Sequence, residues 1–238
     1  MADPSGGAVI CRLRFHCSWR LELIRPAAAS GLLRFRRVRA SSCIPHARRD
    51  SSMVVVFVTG VSGSGKSTLA RTMAGWGHRT VSTDADPRLC YWSDSRGCPV
   101  QRPAEPDATW LTTHEWRWNP RRLDEIITGA ANQSDDPLWL FGQAANAAEF
   151  ADRFDVTILL EIDQQTMISR IQNGSRGNDL GRVGDSLSIA LASYIPFVTA
   201  WRRHGAVIVD GTADVETVAE ELLMAAASAA LHRRKPSG

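Results

Sequence analysis

Residues 53–68 read Met-Val-Val-Val-Phe-Val-Thr-Gly-Val-Ser-Gly-Ser-Gly-Lys-Ser-Thr, and this stretch decides the fold. Its first seven residues, Met53 to Thr59, form an apolar, β-branched run without polar alternation, which predicts a strand buried on both faces of a parallel sheet. Gly60-Val61-Ser62-Gly63-Ser64-Gly65-Lys66-Ser67 then satisfies G-x-x-x-x-G-K-[ST] at every fixed position. A helix beginning Thr68-Leu69-Ala70-Arg71-Thr72-Met73-Ala74 follows, so the glycine loop sits between a strand and a helix N-terminus. There, glycines allow a tight loop whose backbone N–H groups converge on an anion, and the helix dipole favours phosphate oxygens. The pattern predicts that Gly60, Val61, Ser62, Gly63, Ser64, Gly65, Lys66, Ser67 and Thr68 bind ATP. Lys66 reaches the β and γ phosphates, and the Ser67 hydroxyl ligates Mg²⁺. The only other lysine is Lys235, so any further cation on the phosphates must be arginine. No N-K-x-D motif is present, which excludes a GTPase of the Ras kind.

A short strand, Thr80-Val81-Ser82-Thr83, ends in Asp84-Ala85-Asp86. A strand, loop, helix, strand unit of this length is a right-handed crossover that is expected to place the C-terminal end of the second strand beside the phosphate loop. Asp84 and Asp86 are therefore candidates to hold metal-bound water and to orient an acceptor hydroxyl, with Asp84 as the metal-side carboxylate. A solvated turn cap ahead of Pro87 is the alternative. Two further strands are expected at Leu138 to Phe141 and at Asp155 to Glu161. Asp163 is expected to cap a helix carrying Met167, Ile168 and Ile171, and residues 173–185 follow as a polar, glycine-rich lid. A helix from about Asp185 to Arg203 contains Pro196, which predicts a kink or split there and an end at Gly205. The last helix repeats Val215, Val218, Ala219, Leu222 and Leu223 at helical spacing behind an Asp214 cap, so it packs on the sheet.

The long insertion at residues 87–136 is not needed for phosphate chemistry and is the expected acceptor side. It carries Arg88, Arg96, Arg102, His114, Glu115, Arg117 and the rings of Tyr91, Trp92, Trp110, Trp116 and Trp118. This mixture either stacks a flat acceptor and clamps an anionic group on it, or the rings form a local core. Gln143 and Asn146, after the third strand, are candidate acceptor hydrogen-bonders together with Arg117.

From Met53 to about Ala226 the chain resembles the small P-loop kinases of the adenylate kinase, shikimate kinase and gluconate kinase group, ATP-binding proteins of the AAA type. Gly60 to Thr68, the D-x-D at 84–86, and Ala206-Val207-Ile208-Val209-Asp210-Gly211-Thr212 carry the resemblance. It implies a three-layer α/β fold with a five-stranded parallel sheet in the order 2-3-1-4-5, helices on both faces, and a mobile lid. It also implies that Gly211 and Thr212 lie on the adenine side, that Arg170 at the lid base packs near adenine, and that Arg176 and Arg182 stabilise transferred charge. The acceptor motifs of the group are missing: neither D-G-[FY]-P-R nor a triple glycine occurs after the third strand, where this chain has Phe141-Gly142-Gln143-Ala144-Ala145-Asn146.

Composition bounds the rest. A chain of 238 residues with 44% hydrophobic and 22% charged content suits an ordinary α/β domain. No apolar run approaches the length needed to span a bilayer. Five scattered cysteines without a C-x-x-C pair disfavour a disulfide framework or zinc ribbon and point to reduced thiols in the cytoplasm. Residues 1–52 hold ten arginines against three acidic residues, a net charge of +7, whereas residues 53–238 carry 18 basic and 22 acidic residues, or −4. The basic leader is open to three explanations: a transit peptide, an arm for nucleic acid or anionic lipid, or a disordered or mis-assigned extension ahead of a start at Met53. The acidic remainder gives no reason to expect nucleic acid at 53–238. The expected organisation is the leader 1–52, a kinase-like domain 53–228 that acts as a monomer, and a tail 229–238.

Two functions fit these readings. One is Mg²⁺-dependent transfer of the ATP γ-phosphoryl group to a nucleotide, nucleoside or hydroxylated metabolite. The other is an ATP-hydrolysing switch without a small-molecule acceptor; Thr157 to Glu161 resembles a Walker B strand but lacks the preceding Asp, and no L-S-G-G-Q is present.

Overall fold

The computed structural model describes residues 19–24, 34–39, 53–173 and 181–233. The chain divides into two compact units, Met1–Asp50 and Ser51–Gly238. In the first, β1 (Trp19–Ile24) pairs antiparallel with β2 (Arg34–Arg39), Trp19 opposite Arg39 and Ile24 opposite Arg34. No strand was expected from the sequence there, because the apolar residues do not alternate cleanly enough to mark one.

The second unit is built on β3 (Val55–Gly60), the apolar run that precedes the glycine loop. Val54, Val56 and Val58 pack on one face while Val55 and Phe57 pack on the other, all at 5% exposure or less. Burial of such side chains stabilises by roughly 1.5–3 kcal/mol each. After the loop come α1 (Lys66–Gly75) and β4 (Arg79–Ser82). The insertion supplies β5 (Cys90–Ser93), β6 (Pro99–Val100), α2 (Ala108–Thr113), β7 (Glu115–Trp118) and α3 (Pro120–Ala131). The chain then continues through β8 (Leu138–Phe141), β9 (Val156–Glu161), α4 (Gln164–Asn173), α5 (Ser186–Arg203), β10 (Val207–Asp210) and α6 (Val215–Arg233).

Five strands form the main sheet in the spatial order β10-β9-β3-β8-β4, and every pairing is parallel. Counted within this sheet alone the order is 2-3-1-4-5, as the resemblance implied. Helices α1 and α6 cover one face through Leu69, Met73, Val218, Ala219 and Leu222. Leu123 and Ile127 of α3, Met167 of α4 and Val198 and Trp201 of α5 cover the other. Three parallel strands, β3, β8 and β4, therefore end on one side of the molecule, and their carboxyl ends carry Gly60, Gly142 and Asp84.

The caps expected from the sequence form. Asp163 accepts from the Thr166 amide at 2.7 Å, and Asp214 accepts from the Thr217 amide at 2.9 Å. At Pro196 the helix is not split, since α5 runs as one helix through it. Pro196 lies on the exposed side, where water can satisfy the carbonyl that lost its donor, while Tyr194, Val198 and Trp201 anchor both halves on the core. The insertion adds a small antiparallel sheet, β6-β5-β7, that periodicity alone did not reveal. No described helix is long and apolar enough to cross a membrane.

Candidate functional site

The glycine loop takes its shape from positions that only glycine occupies easily. Gly63 and Gly65 lie at φ 87° and 102°, and Gly65 immediately precedes the first turn of α1. A Cβ on Gly60 would stand 2.5 Å from Ser64 Oγ and 2.7 Å from the Leu160 carbonyl oxygen. The loop thus closes tightly on itself and against β9. Lys66 Nζ donates to the carbonyls of Gly60 at 2.6 Å and Val61 at 3.0 Å, which folds the ammonium back over the loop. Ser64 is buried, whereas Ser67 and Thr68 are exposed at the start of α1. This is the arrangement that binds an anion: a positive-φ loop, a helix N-terminus and one ammonium group.

The loop after β10 lies against this cradle. A Cβ on Gly211 would approach the Ser64 carbonyl oxygen to 3.1 Å. Arg170, on α4, donates to the Gly211 carbonyl at 2.7 Å and reaches the Gly63 carbonyl at 3.4 Å, so one guanidinium joins the two loops assigned to ATP. Thr212 donates from its amide and its hydroxyl to Asp210, at 2.8 and 2.6 Å, and these bonds hold the Asp210 carboxyl below its ordinary value. Arg182 donates to the Ile171 carbonyl at 2.8 Å beyond the end of α4. Arg176 and most of the lid lie outside the described residues. Glu161, the Walker B-like residue, is paired with Arg202 at 2.6 Å.

The two carboxylates after β4 have separate environments. Asp86 pairs with Arg122 Nε at 2.8 Å and accepts from the Arg88 amide at 2.8 Å. Burial pushes the Asp86 carboxyl up, but the Arg88 amide and the Arg122 guanidinium together outweigh it and hold the group below its ordinary value. No ion pair involves Asp84 among the described residues. Its Oδ1 accepts from Trp116 Nε1 at 3.4 Å. The turn is locked to the end of β8, since Thr83 Oγ1 donates to the Phe141 carbonyl at 3.2 Å and a Cβ on Gly142 would collide with that hydroxyl. β8 stands between β4 and β3, so Asp84 is not beside the glycine loop as expected but two strands from it, at the same carboxyl end of the parallel strands. Beneath it, Cys90 donates to the Thr83 carbonyl at 3.1 Å, and burial, with Asp84 nearby, pushes its thiol far up.

On the acceptor side, Asn146 is 4% exposed and holds the backbone of β7. Its Oδ1 accepts from the Trp118 amide at 2.9 Å and its Nδ2 donates to the Trp118 carbonyl at 3.0 Å. The Ala145 amide adds a 2.7 Å bond to the Trp116 carbonyl. Gln143 is half-buried on the same turn. Arg117 is paired with Glu115 and, at 3.4 Å, with Glu149. The tryptophans divide: Trp118 is fully buried against Phe57, while Trp92, Trp110 and Trp116 are half-buried. The insertion also meets the lid root, because the Ala108 amide donates to Asp185 Oδ2 at 2.9 Å and Gly184 packs on the Pro106 carbonyl too closely for a Cβ. Arg122 and the Trp116 to Asp84 bond were not legible in the sequence: their partners lie 36 and 32 residues away with no motif between.

Mg²⁺ fits the donors present. The Ser67 hydroxyl and the Asp84 carboxylate are hard oxygen ligands, and among the described residues no cluster of His, Cys, Asp and Glu offers an all-protein cage. Two surface clefts, of about 620 Å³ along α3 at Arg121 and Thr128 and of about 520 Å³ at His78, Pro137 and Leu223, include no residue of the glycine loop.

A family model for the AAA domain matches residues 56–183. Among solved structures, a gluconokinase from Sinorhizobium meliloti 1021 is similar over 79% of this chain and 99% of its own, with 18% identity and a TM-score of 0.45. A sugar kinase from Janibacter sp. HTCC2649 is similar over 75% of this chain and 98% of its own, with 20% identity and a TM-score of 0.43. A deoxyadenosine kinase from M. mycoides with bound dATP covers 72% of this chain and 98% of its own, with 15% identity and a TM-score of 0.40. No curated protein matches the sequence.

Proposed function

We propose, for a chain that belongs to the AAA domain family, that it binds ATP and transfers the γ-phosphoryl group to a small-molecule acceptor. The observation that supports this reading most directly is the cradle itself: Gly63 and Gly65 at positive φ before α1, with Lys66 Nζ held over the loop. The loop amides and Lys66 take the phosphate oxygens. Arg170 fastens the Gly211 loop to the cradle and so positions the nucleoside side of ATP, with Thr212 beside it. Ser67 directly, and Asp84 through metal-bound water, would hold Mg²⁺, which when bound neutralises charge on the phosphates.

Asp86 is engaged with Arg122, so Asp84 is the carboxylate assigned to the acceptor. It accepts a hydrogen bond from the acceptor hydroxyl and orients that oxygen toward the γ-phosphorus. A new P–O bond forms, the bond to the β-phosphate oxygen breaks, ADP leaves, and the hydroxyl proton is released through Asp84. Arg182, with Arg176 on the lid, supplies positive charge to the transferred group. The protein is expected to work as a monomer in the cytoplasm.

The test is ATP consumption by the purified chain with Mg²⁺, across nucleoside monophosphates, nucleosides, shikimate and sugar acids. ATP consumption that rises with one acceptor and yields its phosphate ester is the expected result. Steady hydrolysis indifferent to every acceptor would replace this reading with an ATP-driven switch.

A further inference from the structure

We infer that the acceptor taken at this site is an uncharged, hydroxyl-bearing ring compound, held by stacking on Trp92, Trp110 and Trp116 rather than by a cation. The inference rests on the phosphotransfer reading above and names its substrate class. Two independent observations lead to it, one geometric and one electrostatic.

The small sheet sets Trp92 of β5 directly opposite Trp116 of β7, with ring centroids 5.5 Å apart. Trp110 of α2 adds a third ring 4.9 Å from Trp92, backed by His114 stacked on it at 4.3 Å. All three indoles are half-buried, unlike Trp118 on the same strand pair, whose ring is lost in the core. Trp116 Nε1 donates to Asp84 Oδ1, so this aromatic surface is continuous with the carboxylate assigned to the acceptor hydroxyl. Indole faces bind flat rings and the C–H faces of saturated rings, and they do so without a charge requirement.

The charges of the insertion oppose an anion. Residues 87–136 hold six arginines and no lysine against eight acidic residues, a net charge of −2. Arg117 lies on Glu115 and Glu149, Arg122 on Asp86 and Glu125, and Arg121 on Glu125. Arg88 stands 4.0 Å from Asp86, and Arg96 is near Asp94. A phosphate or carboxylate on the acceptor would have to displace these carboxylates and remain beside them, an arrangement of like charges that disfavours binding. A hydroxylated ring meets no such opposition.

The experiment uses the full chain with Mg·ATP and matched pairs that differ by one anionic group: adenosine and AMP, deoxycytidine and dCMP, glucose and gluconate. For at least one pair, kcat/KM of the uncharged member is expected to exceed that of its anionic partner by about ten-fold or more. The pair that responds tells an aromatic base from a saturated ring. Trp92→Ala is expected to raise KM for that acceptor about ten-fold while KM for ATP stays within about two-fold, and Trp92→Phe, which keeps a ring, restores most of the loss. Preference for AMP, dCMP or gluconate would overturn the inference, as would an unchanged acceptor KM in a folded Trp92→Ala protein. If no compound is turned over, calorimetry on protein saturated with a non-hydrolysable Mg·ATP analogue decides. Selective binding of an uncharged member upholds the acceptor class and removes phosphotransfer alone, and binding of neither member overturns the inference.

Discussion

The stretch from Val55 to Gly75 and the insertion at residues 87–136 form two sides of one candidate site, and they are built in opposite ways. In the first, the hydrogen bonds that fold the loop over itself lie within a few residues of their partners: Lys66 reaches Gly60 and Val61, and the Thr68 amide reaches Gly65, with Leu160 and Arg170 bracing the loop from farther along the chain. The second is held by contacts from far along the chain, with Asn146 fastening Trp118, Arg122 holding Asp86, and Asp185 meeting Ala108. Local construction tolerates only the residues its backbone shape allows, so it leaves a motif. Distant construction distributes its requirements over many positions, each of which could be met by several residue types.

That contrast can be tested by substitutions on each side. The largest effect is expected for Lys66→Ala, which should lower phosphoryl transfer by about 10²–10³-fold or more, since one preorganised positive group at the reacting phosphate is removed. Its circular dichroism and thermal midpoint should stay close to wild type; an active variant would remove the cradle from the mechanism. Asp84→Asn should follow, reducing Mg²⁺-dependent turnover by about 10²-fold while nucleotide affinity, read by calorimetry, changes far less. Equal losses in both would make Asp84 a structural residue only.

On the insertion side, Asn146→Ala should act through folding. It leaves the buried Trp118 amide and carbonyl without their partners, at a cost of roughly 1–3 kcal/mol each in unfolding free energy, measured by urea titration. ATP affinity should be retained, because the cradle does not depend on β7. Lost ATP affinity in a folded variant would show the two sides to be one cooperative unit.

The smallest effect belongs to the Asp86 to Arg122 pair. Its carboxyl is held below the ordinary value of 3.8, so the stabilisation is fully present above that value and fades as pH falls through the depressed folded value. The stability difference between wild type and Arg122→Gln should therefore be constant above about pH 5 and shrink in more acidic solution. A difference that grows on acidification would contradict the assigned pair.

Much of the sheet was legible from sequence for the same reason as the cradle. Val54 to Val58 has to be buried on both faces, the strand at 138–141 is equally apolar, and that at 156–161 buries Ile158 to Leu160. Helix caps at Asp163 and Asp214 were legible because a cap acts within three residues. Pro196 does not split α5 because helix breakage depends on what faces the missing donor, and here that side of α5 is exposed. The small antiparallel sheet escaped notice because its strands are short and both of its faces carry large side chains.

Asn146 shows where residue type alone is insufficient. An amide after a strand near a phosphate loop suits an acceptor, yet its buried carboxamide pairs with both polar groups of the Trp118 backbone. Asp84 and Asp86 are both candidates in the sequence, and α3 separates their environments by bringing Arg122 to Asp86.

The amino-acid order alone determined the buried strand, the glycine loop and the lone loop ammonium, because those depend on backbone shape and near neighbours. Tertiary structure decided which carboxylate is engaged, which indoles stay half-buried and which arginines are neutralised. Those properties follow from long-range packing, where a side chain's chemistry is set by the partner that folding places beside it.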